Sequence, residues 1–229
     1  MIIIRSASDL HPILNEKQNT LLLLDVDDTI ITTVKRFSHN LDKLKDLRNN
    51  GIIGKDLCED LISSWRLERK VVLTDEGWRE FFIKTKKVYG LTKMDVGRFG
   101  IIESVETWRY NELKSLGVNF TYSSPIDSLD HKMPLKLEID DSTFFKGIFF
   151  TGNASKGSIV KKILNNGKYD SVVFVDDKPE QLHDVTTACK DFGIEITPIQ
   201  FKLQNKYELG PYTDLEQKIL EIISRYENN

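Results

Sequence analysis

Two uninterrupted apolar runs punctuate the chain, Leu21-Leu22-Leu23-Leu24 and Val172-Val173-Phe174-Val175. With no polar alternation, they predict strands of a parallel sheet buried on both faces. Elsewhere the period is helical. Leu41, Leu44 and Leu47, then Leu57, Leu61 and Ile62, recur at helix spacing around a stop at Asn49-Asn50-Gly51, so residues 30–70 predict helices and no strand. A third helix carries Trp78, Phe81 and Phe82 on one face, with Thr74 or Asp75 as its N-cap. Residues 87–92 predict a short strand ending in Thr92. A helix over 104–116 brings Val105, Trp108, Leu113 and Leu116 to one side and stops at Gly117. Residues 118–120 predict another short strand, and 135–139 and 144–150 a hairpin around Asp140-Asp141-Ser142. Helices over 156–164, 180–192 and 213–226 and a strand over 194–201 complete the pattern. Strands alternating with helices predict an α/β fold with a doubly wound parallel sheet. The segment at about 34–70 reads as a small helical insertion after the first buried strand, in a single domain whose core is residues 1–33 and 71–229.

Both apolar runs end in acid: Asp25-Val26-Asp27-Asp28 after the first, Asp176-Asp177 after the second. Carboxylates clustered at the end of a buried strand repel one another and lose hydration, and a divalent cation is the usual remedy. The carboxyl ends of strands are also where open α/β sheets put their ligands. Each feature alone is weak. A D-x-D is often a solvated turn, and a strand-ending threonine is usually a turn or cap residue. Four of them in order carry more: Asp25 and Asp27, then Thr92, then Lys156 near a helix start, then Asp176-Asp177.

The remaining composition excludes more than it assigns. A chain of 229 residues, 40% hydrophobic and 29% charged, is long enough to bury a sizeable core. A net charge of −3 gives no general attraction to nucleic acid, and no nucleic-acid partner is expected. No apolar run approaches the ~20 residues that span a bilayer. Residues 1–6 hold three isoleucines without the build of a signal peptide, so a cytoplasmic location is expected, with signal-independent secretion as the alternative. The sequence leaves open a further targeting domain beyond residue 229. Cys58 and Cys189 lack CxxC or His spacing and read as reduced packing residues; His11, His39, His131 and His183 show no metal-ligand spacing.

The ordered set resembles the motifs of the haloacid dehalogenase-like phosphatase superfamily. The hydrophobic strand followed by D-x-D-x-T is met at residues 21–29, and the strand ending in Thr or Ser by Val88-Tyr89-Gly90-Leu91-Thr92. The lysine is met by Lys156 in Thr151-Gly152-Asn153-Ala154-Ser155-Lys156-Gly157, and the final acidic pair by Asp176-Asp177. The resemblance covers about residues 20–200, and within the superfamily the chain looks like a bacterial branch. It implies a Rossmann-like sheet with a small helical cap and a β-hairpin flap. It also implies a Mg²⁺-dependent phosphomonoester hydrolase. In that reading Asp25 is the nucleophile, giving an aspartyl-phosphate, and Asp27 is the acid/base. Thr92 and Lys156 hold phosphoryl oxygens. Asp25, the Asp27 backbone carbonyl, Asp177 and Asp176 hold the metal. Thr151 also ends a hydrophobic strand and is the alternative to Thr92. Gln181 stands where the family usually has an acid or amide, and Asp28 is left without a role as a solvated turn residue.

A cap this small implies an open site, which favours a phosphorylated protein substrate, phosphotyrosine first. A sugar or nucleotide phosphate, or a non-catalytic phosphate-binding module, are the alternatives. Trp65, Arg66, Arg36, Phe37 and Arg98 are candidate entrance contacts, although Trp65 reads first as packing between the helices and each arginine first as solvated surface. A two-component receiver domain would place its acidic pair first and its lysine last, the reverse of the order here. A D-x-D glycosyltransferase would normally carry its motif deeper in a larger chain.

Overall fold

The computed structural model describes residues 1–14, 19–35, 37–127, 131–203 and 210–227. In chain order the elements begin with β1 (Ile2–Ile4), α1 (Leu10–Leu14), β2 (Thr20–Leu24) and β3 (Ile31–Thr33). There follow α2 (Ser38–Asn49), α3 (Lys55–Glu68), β4 (Val71–Leu73), α4 (Gly77–Lys84), β5 (Tyr89–Thr92) and α5 (Val105–Ser115). The rest are β6 (Leu135–Lys136), β7 (Thr143–Phe145), β8 (Ile148–Phe150), α6 (Lys156–Asn166), β9 (Ser171–Asp176), α7 (Pro179–Asp191), β10 (Glu195–Phe201) and α8 (Asp214–Glu227). Eight strands form one sheet in the order β1-β10-β9-β2-β5-β8-β7-β6. It is parallel from β1 through β8, and β7 and β6 add antiparallel at one edge.

The leucine run becomes β2 at the centre of this sheet. Leu21 and Leu23 share one apolar cluster with Val172 and Phe174 of β9, Ile159, Val160 and Ile163 of α6, and Leu182 and Val185 of α7. Leu22 and Leu24 alternate to the opposite face and are also buried, which is why the run has no polar position. From β2 the chain fills one side of the sheet with β5 and β8, then returns to the other side with β9 and β10. The order therefore reverses between β2 and β9, and at such a reversal the strand ends border a crevice.

Contact grouping divides the chain into two compact units: residues 1–32, 73–96 and 106–204, and residues 33–72, 97–105 and 205–229. The first holds the eight-stranded sheet. In the second, α8 packs with α2 and α3. That differs from a core running through residue 229. A pair of short amphipathic helices leaves apolar surface uncovered; Ile219 and Ile223 of α8 are buried here, as are Leu44 and Trp65. Among the described residues no helix is long and apolar enough to cross a membrane.

Five local expectations are corrected. Residues 30–70 are not strand-free, because Ile31–Thr33 pairs with Val71–Leu73 in a two-stranded sheet. Residues 118–120 form no strand. The Thr121 N–H donates to the Val88 carbonyl, but the return bond from the Val88 N–H goes to the Thr121 hydroxyl and not to its carbonyl. Residues 144–150 are two strands, reversed at Lys146 (φ 47°) and Gly147 (φ 86°), the pair of left-handed conformations a tight hairpin needs. A Cβ on Gly147 would also lie 2.4 Å from the Phe120 Cβ. Trp108 is only half-buried, and the apolar face of α5 runs through Val105, Arg109 and Leu113. At the start of α4, Glu76 holds the cap position without a side-chain bond, while the Asp75 carboxylate accepts the Gly77 N–H at 3.2 Å.

Candidate metal centre

The last backbone bond of β2 sets the first ligand. The Asp25 N–H donates to the Val175 carbonyl at 2.8 Å, so Asp25 and Asp176 emerge side by side at two adjacent strand ends. The turn that follows is tight: the Ile30 and Ile31 N–H groups both donate to the Val26 carbonyl. Asp28 takes a left-handed conformation there (φ 61°), which Asp tolerates better than most residues. Its N–H donates to the Ile31 carbonyl and its carboxylate accepts from the Thr32 hydroxyl.

Lys156 is the first residue of α6, whose start is fixed by Ser155 accepting the Ser158 N–H and by Asp184 of α7 accepting the Gly157 N–H at 2.7 Å. The lysine is buried, and its Nζ donates to Asp25 Oδ1 at 2.5 Å and Asp176 Oδ2 at 2.7 Å. Asp176 Oδ1 accepts the Lys178 N–H, and Asp25 Oδ2 accepts the Thr29 hydroxyl at 3.3 Å. Asp25, Asp176 and Asp177 each offer an oxygen within 4.8 Å of the others. With all three carboxylates ionised, the one buried ammonium would leave two negative charges uncompensated. The donors are all oxygen, the preference of hard divalent cations. Neighbouring oxygens around an octahedral ion at about 2.1 Å are about 3 Å apart, so the three carboxylates would have to draw together to hold one.

The electrostatics follow from burial. Burial pushes the Asp25 carboxyl well above its ordinary value, Lys156 pulls it back, and Asp176 and Asp177 push it up again. Burial alone would lower the Lys156 ammonium, but Asp25 and Asp176 outweigh it and hold the group above the ordinary lysine value. Asp177 is raised to about 7, first by burial and then by Asp176, against the 3.8 it has when unperturbed. Between those values the folded state keeps a proton that the unfolded chain has released. Stability of the metal-free protein is therefore expected to fall as pH rises through that window. Adding a divalent cation should flatten the slope, because it takes the deprotonated carboxylates. Thermal midpoints recorded across pH in chelator and in cation check this; a midpoint that climbs through the window in chelator contradicts it.

A cavity of about 80 Å³ is lined by Asp25, Asp27, Asp28, Thr92, Lys93, Lys156, Asp176, Asp177, Lys178 and Gln181. It thus contains every site residue expected from the sequence. Asp27 stands apart from the acidic cluster: both of its carboxylate oxygens accept from Arg109 Nη2 at 3.0 Å. Thr151 is buried beside β5, with its N–H on the Thr92 carbonyl and its hydroxyl on the Gly152 carbonyl, and it does not line the cavity. Asp28, expected to be a solvated turn residue, is a wall of the cavity.

The candidate entrance residues fare differently. Trp65 is buried in the second unit, stacked on Phe37 and donating to Glu216, and Arg66 is buried over the Phe99 ring. Arg98 is exposed, and Arg36 lies outside the described residues. Sequence reasoning missed Arg109, although Val105, Arg109 and Leu113 are spaced by four, and a charge inside an apolar stripe is a readable signal. It also missed Lys93 and Lys178, for which only their place beside Thr92 and Asp177 gave a hint.

A family profile matches residues 4–227, nearly the whole chain. The chain belongs to the DUF2608 family. That family is described as a protein of unknown function. This DUF2608 chain is also similar to an uncharacterised protein of Rickettsia prowazekii (strain Madrid E), with 26% identity over 185 residues. The match covers 72% of this chain and 64% of the relative, so the chain spans less than two thirds of that protein's length.

Proposed function

We propose that this protein is a Mg²⁺-dependent phosphomonoester hydrolase of the haloacid dehalogenase-like type, working through an aspartyl-phosphate. One observation carries the reading. Asp25, Thr92 and Asp176 end three neighbouring parallel strands, and Lys156 bridges the two aspartates. In this reading Asp25 attacks phosphorus and the ester oxygen departs, taking a proton from Asp27. Asp27 then takes a proton from the water that cleaves the acyl-phosphate, and free phosphate leaves. Thr92 and Lys156 hold phosphoryl oxygens whose charge grows during transfer. Asp25, Asp176, Asp177 and the Asp27 carbonyl would hold Mg²⁺, which when bound offsets the repulsion between the nucleophile and the phosphate dianion. The helical segment at about 34–70 would serve as the cap, and the hairpin around Asp140-Asp141-Ser142 as the flap.

The substrate proposed first is a phosphotyrosyl protein, because an extended aryl phosphate can enter a small recessed cavity. The test is phosphate release, with and without Mg²⁺, from phosphotyrosyl, phosphoseryl and phosphothreonyl peptides, sugar phosphates and nucleotides. Mg²⁺-dependent release, greatest from phosphotyrosyl peptides, is the predicted result. Preference for a sugar phosphate or nucleotide would move the substrate to small metabolites, and no release from any of them would leave a phosphate-binding module. Within an active protein, Thr92→Ala should lower turnover by about 10²-fold. Thr151→Ala should lower it far less, and the reverse ranking would reassign the phosphate-binding hydroxyl.

A further inference from the structure

We propose that Arg109 is a positioning residue that fixes the direction in which the Asp27 carboxyl faces the cavity. The Arg109 side chain is 0% exposed and does not line the cavity, whereas the Asp27 side chain is 41% exposed and does. Arg109 therefore reaches the reacting atoms only through Asp27. Its Nη2 engages both Asp27 oxygens at 3.0 Å, and its Nη1 is held from behind by Glu112 at 2.6 Å, one turn along α5. The Asp27 carboxyl sits on a tight turn and is half open to water. A guanidinium anchored on a helix, with one nitrogen shared between both oxygens, restricts the direction in which the carboxylate faces.

Stability does not account for this arrangement. Arg109 Nε is buried and has no hydrogen-bond partner among the described residues. A buried ion pair of this kind generally stabilises no better than apolar packing of the same volume. Val105 and Leu113, on the same stripe, show what the position would otherwise hold. The charge is spent on aiming Asp27.

The inference rests on the reading of Asp27 as the group that protonates the leaving oxygen. Two substrates separate the alternatives: p-nitrophenyl phosphate, whose leaving oxygen departs readily without a proton, and phenyl phosphate, which depends on one. The full chain and its Arg109→Met, Arg109→Lys and Glu112→Gln variants are compared with Mg²⁺ on both. Arg109→Met should cost about 10²-fold in kcat on phenyl phosphate and only a few-fold on p-nitrophenyl phosphate. Glu112→Gln, which keeps the guanidinium but loosens its anchor, should show a weaker form of the same split, and Arg109→Lys should restore part of the loss. Equal losses on both substrates in Arg109→Met and Glu112→Gln would make Arg109 merely structural, and unchanged turnover would remove it from the site; either overturns the proposal.

A crystal structure of Arg109→Met, or of Glu112→Gln if the first does not fold, gives a readout independent of activity. Asp27 should leave its present orientation or split into several. An Asp27 that stays in place overturns the positioning role even where wild-type protein releases phosphate. If wild-type protein releases none, the phosphatase reading fails, and the behaviour of Asp27 in the variant still decides whether Arg109 holds it.

Discussion

Replacing Asp25 by Asn is expected to reduce phosphate release by at least about 10³-fold, whatever the substrate, because removing a nucleophile disables a group of residues that act as a unit. The substitution preserves shape and leaves the acceptor oxygen available to Lys156. It deletes the negative charge that the proposed attack and the proposed metal ligand would both require, so cation affinity should fall as well. Folding is expected to survive. Burial is the largest influence on Asp25 and disfavours its ionised form, and Asp176 and Asp177 add to it. A neutral amide avoids those penalties, so the metal-free variant should unfold at the same or a higher temperature near pH 7. The combination of lost turnover with undiminished metal-free stability separates a chemical role from a structural one. Turnover that persists in Asp25→Asn would remove Asp25 as the nucleophile.

Lys156→Met should have the largest effect on stability. Lys156 donates to two buried carboxylates at once. Removing one partner of a buried ion pair leaves uncompensated charge and typically costs about 3–5 kcal/mol. The loss should be greatest at neutral pH and shrink on acidification, as Asp25, whose ionised form burial disfavours, takes up a proton. A divalent cation should stabilise Lys156→Met more than the unmodified protein, because it would supply the missing positive charge. Urea unfolding at several pH values, with and without Mg²⁺, reads all three effects. A metal-free variant as stable as wild type at pH 7 would show that Lys156 does not balance those carboxylates. Turnover should also collapse, since the same ammonium is assigned to the phosphoryl oxygens.

What was legible in the sequence was what local periodicity encodes. The leucine and valine runs could only be strands covered on both faces, and the polar residue ending each run then had to lie at the carboxyl edge of the sheet. Asp25, Thr92 and Asp176 were therefore placeable before their strands were known to be neighbours. The pairing of β1 with β10 was not, because three isoleucines at an edge carry no signal for a partner two hundred residues away. Nor was the grouping of α8 with α2 and α3, since an amphipathic face shows that a helix packs without showing against what. Lys146-Gly147 was hidden because Phe144, Phe145, Phe149 and Phe150 make the segment look continuous. Arg109 was missed for a related reason: apolar periodicity treats a charge in a stripe as noise, although a fully buried arginine must have an anionic partner.

Asp25, Asp176 and Asp177 form an acidic cluster that could hold a metal ion, and phosphoryl transfer is the chemistry proposed for it. The most direct test is mass spectrometry of protein quenched during turnover of an aryl phosphate with Mg²⁺, followed by peptide mapping. The account predicts a transient phosphoryl group on Asp25, discharged by water and absent from Asp25→Asn. Turnover without such a group, or with the group on any other residue, would contradict it.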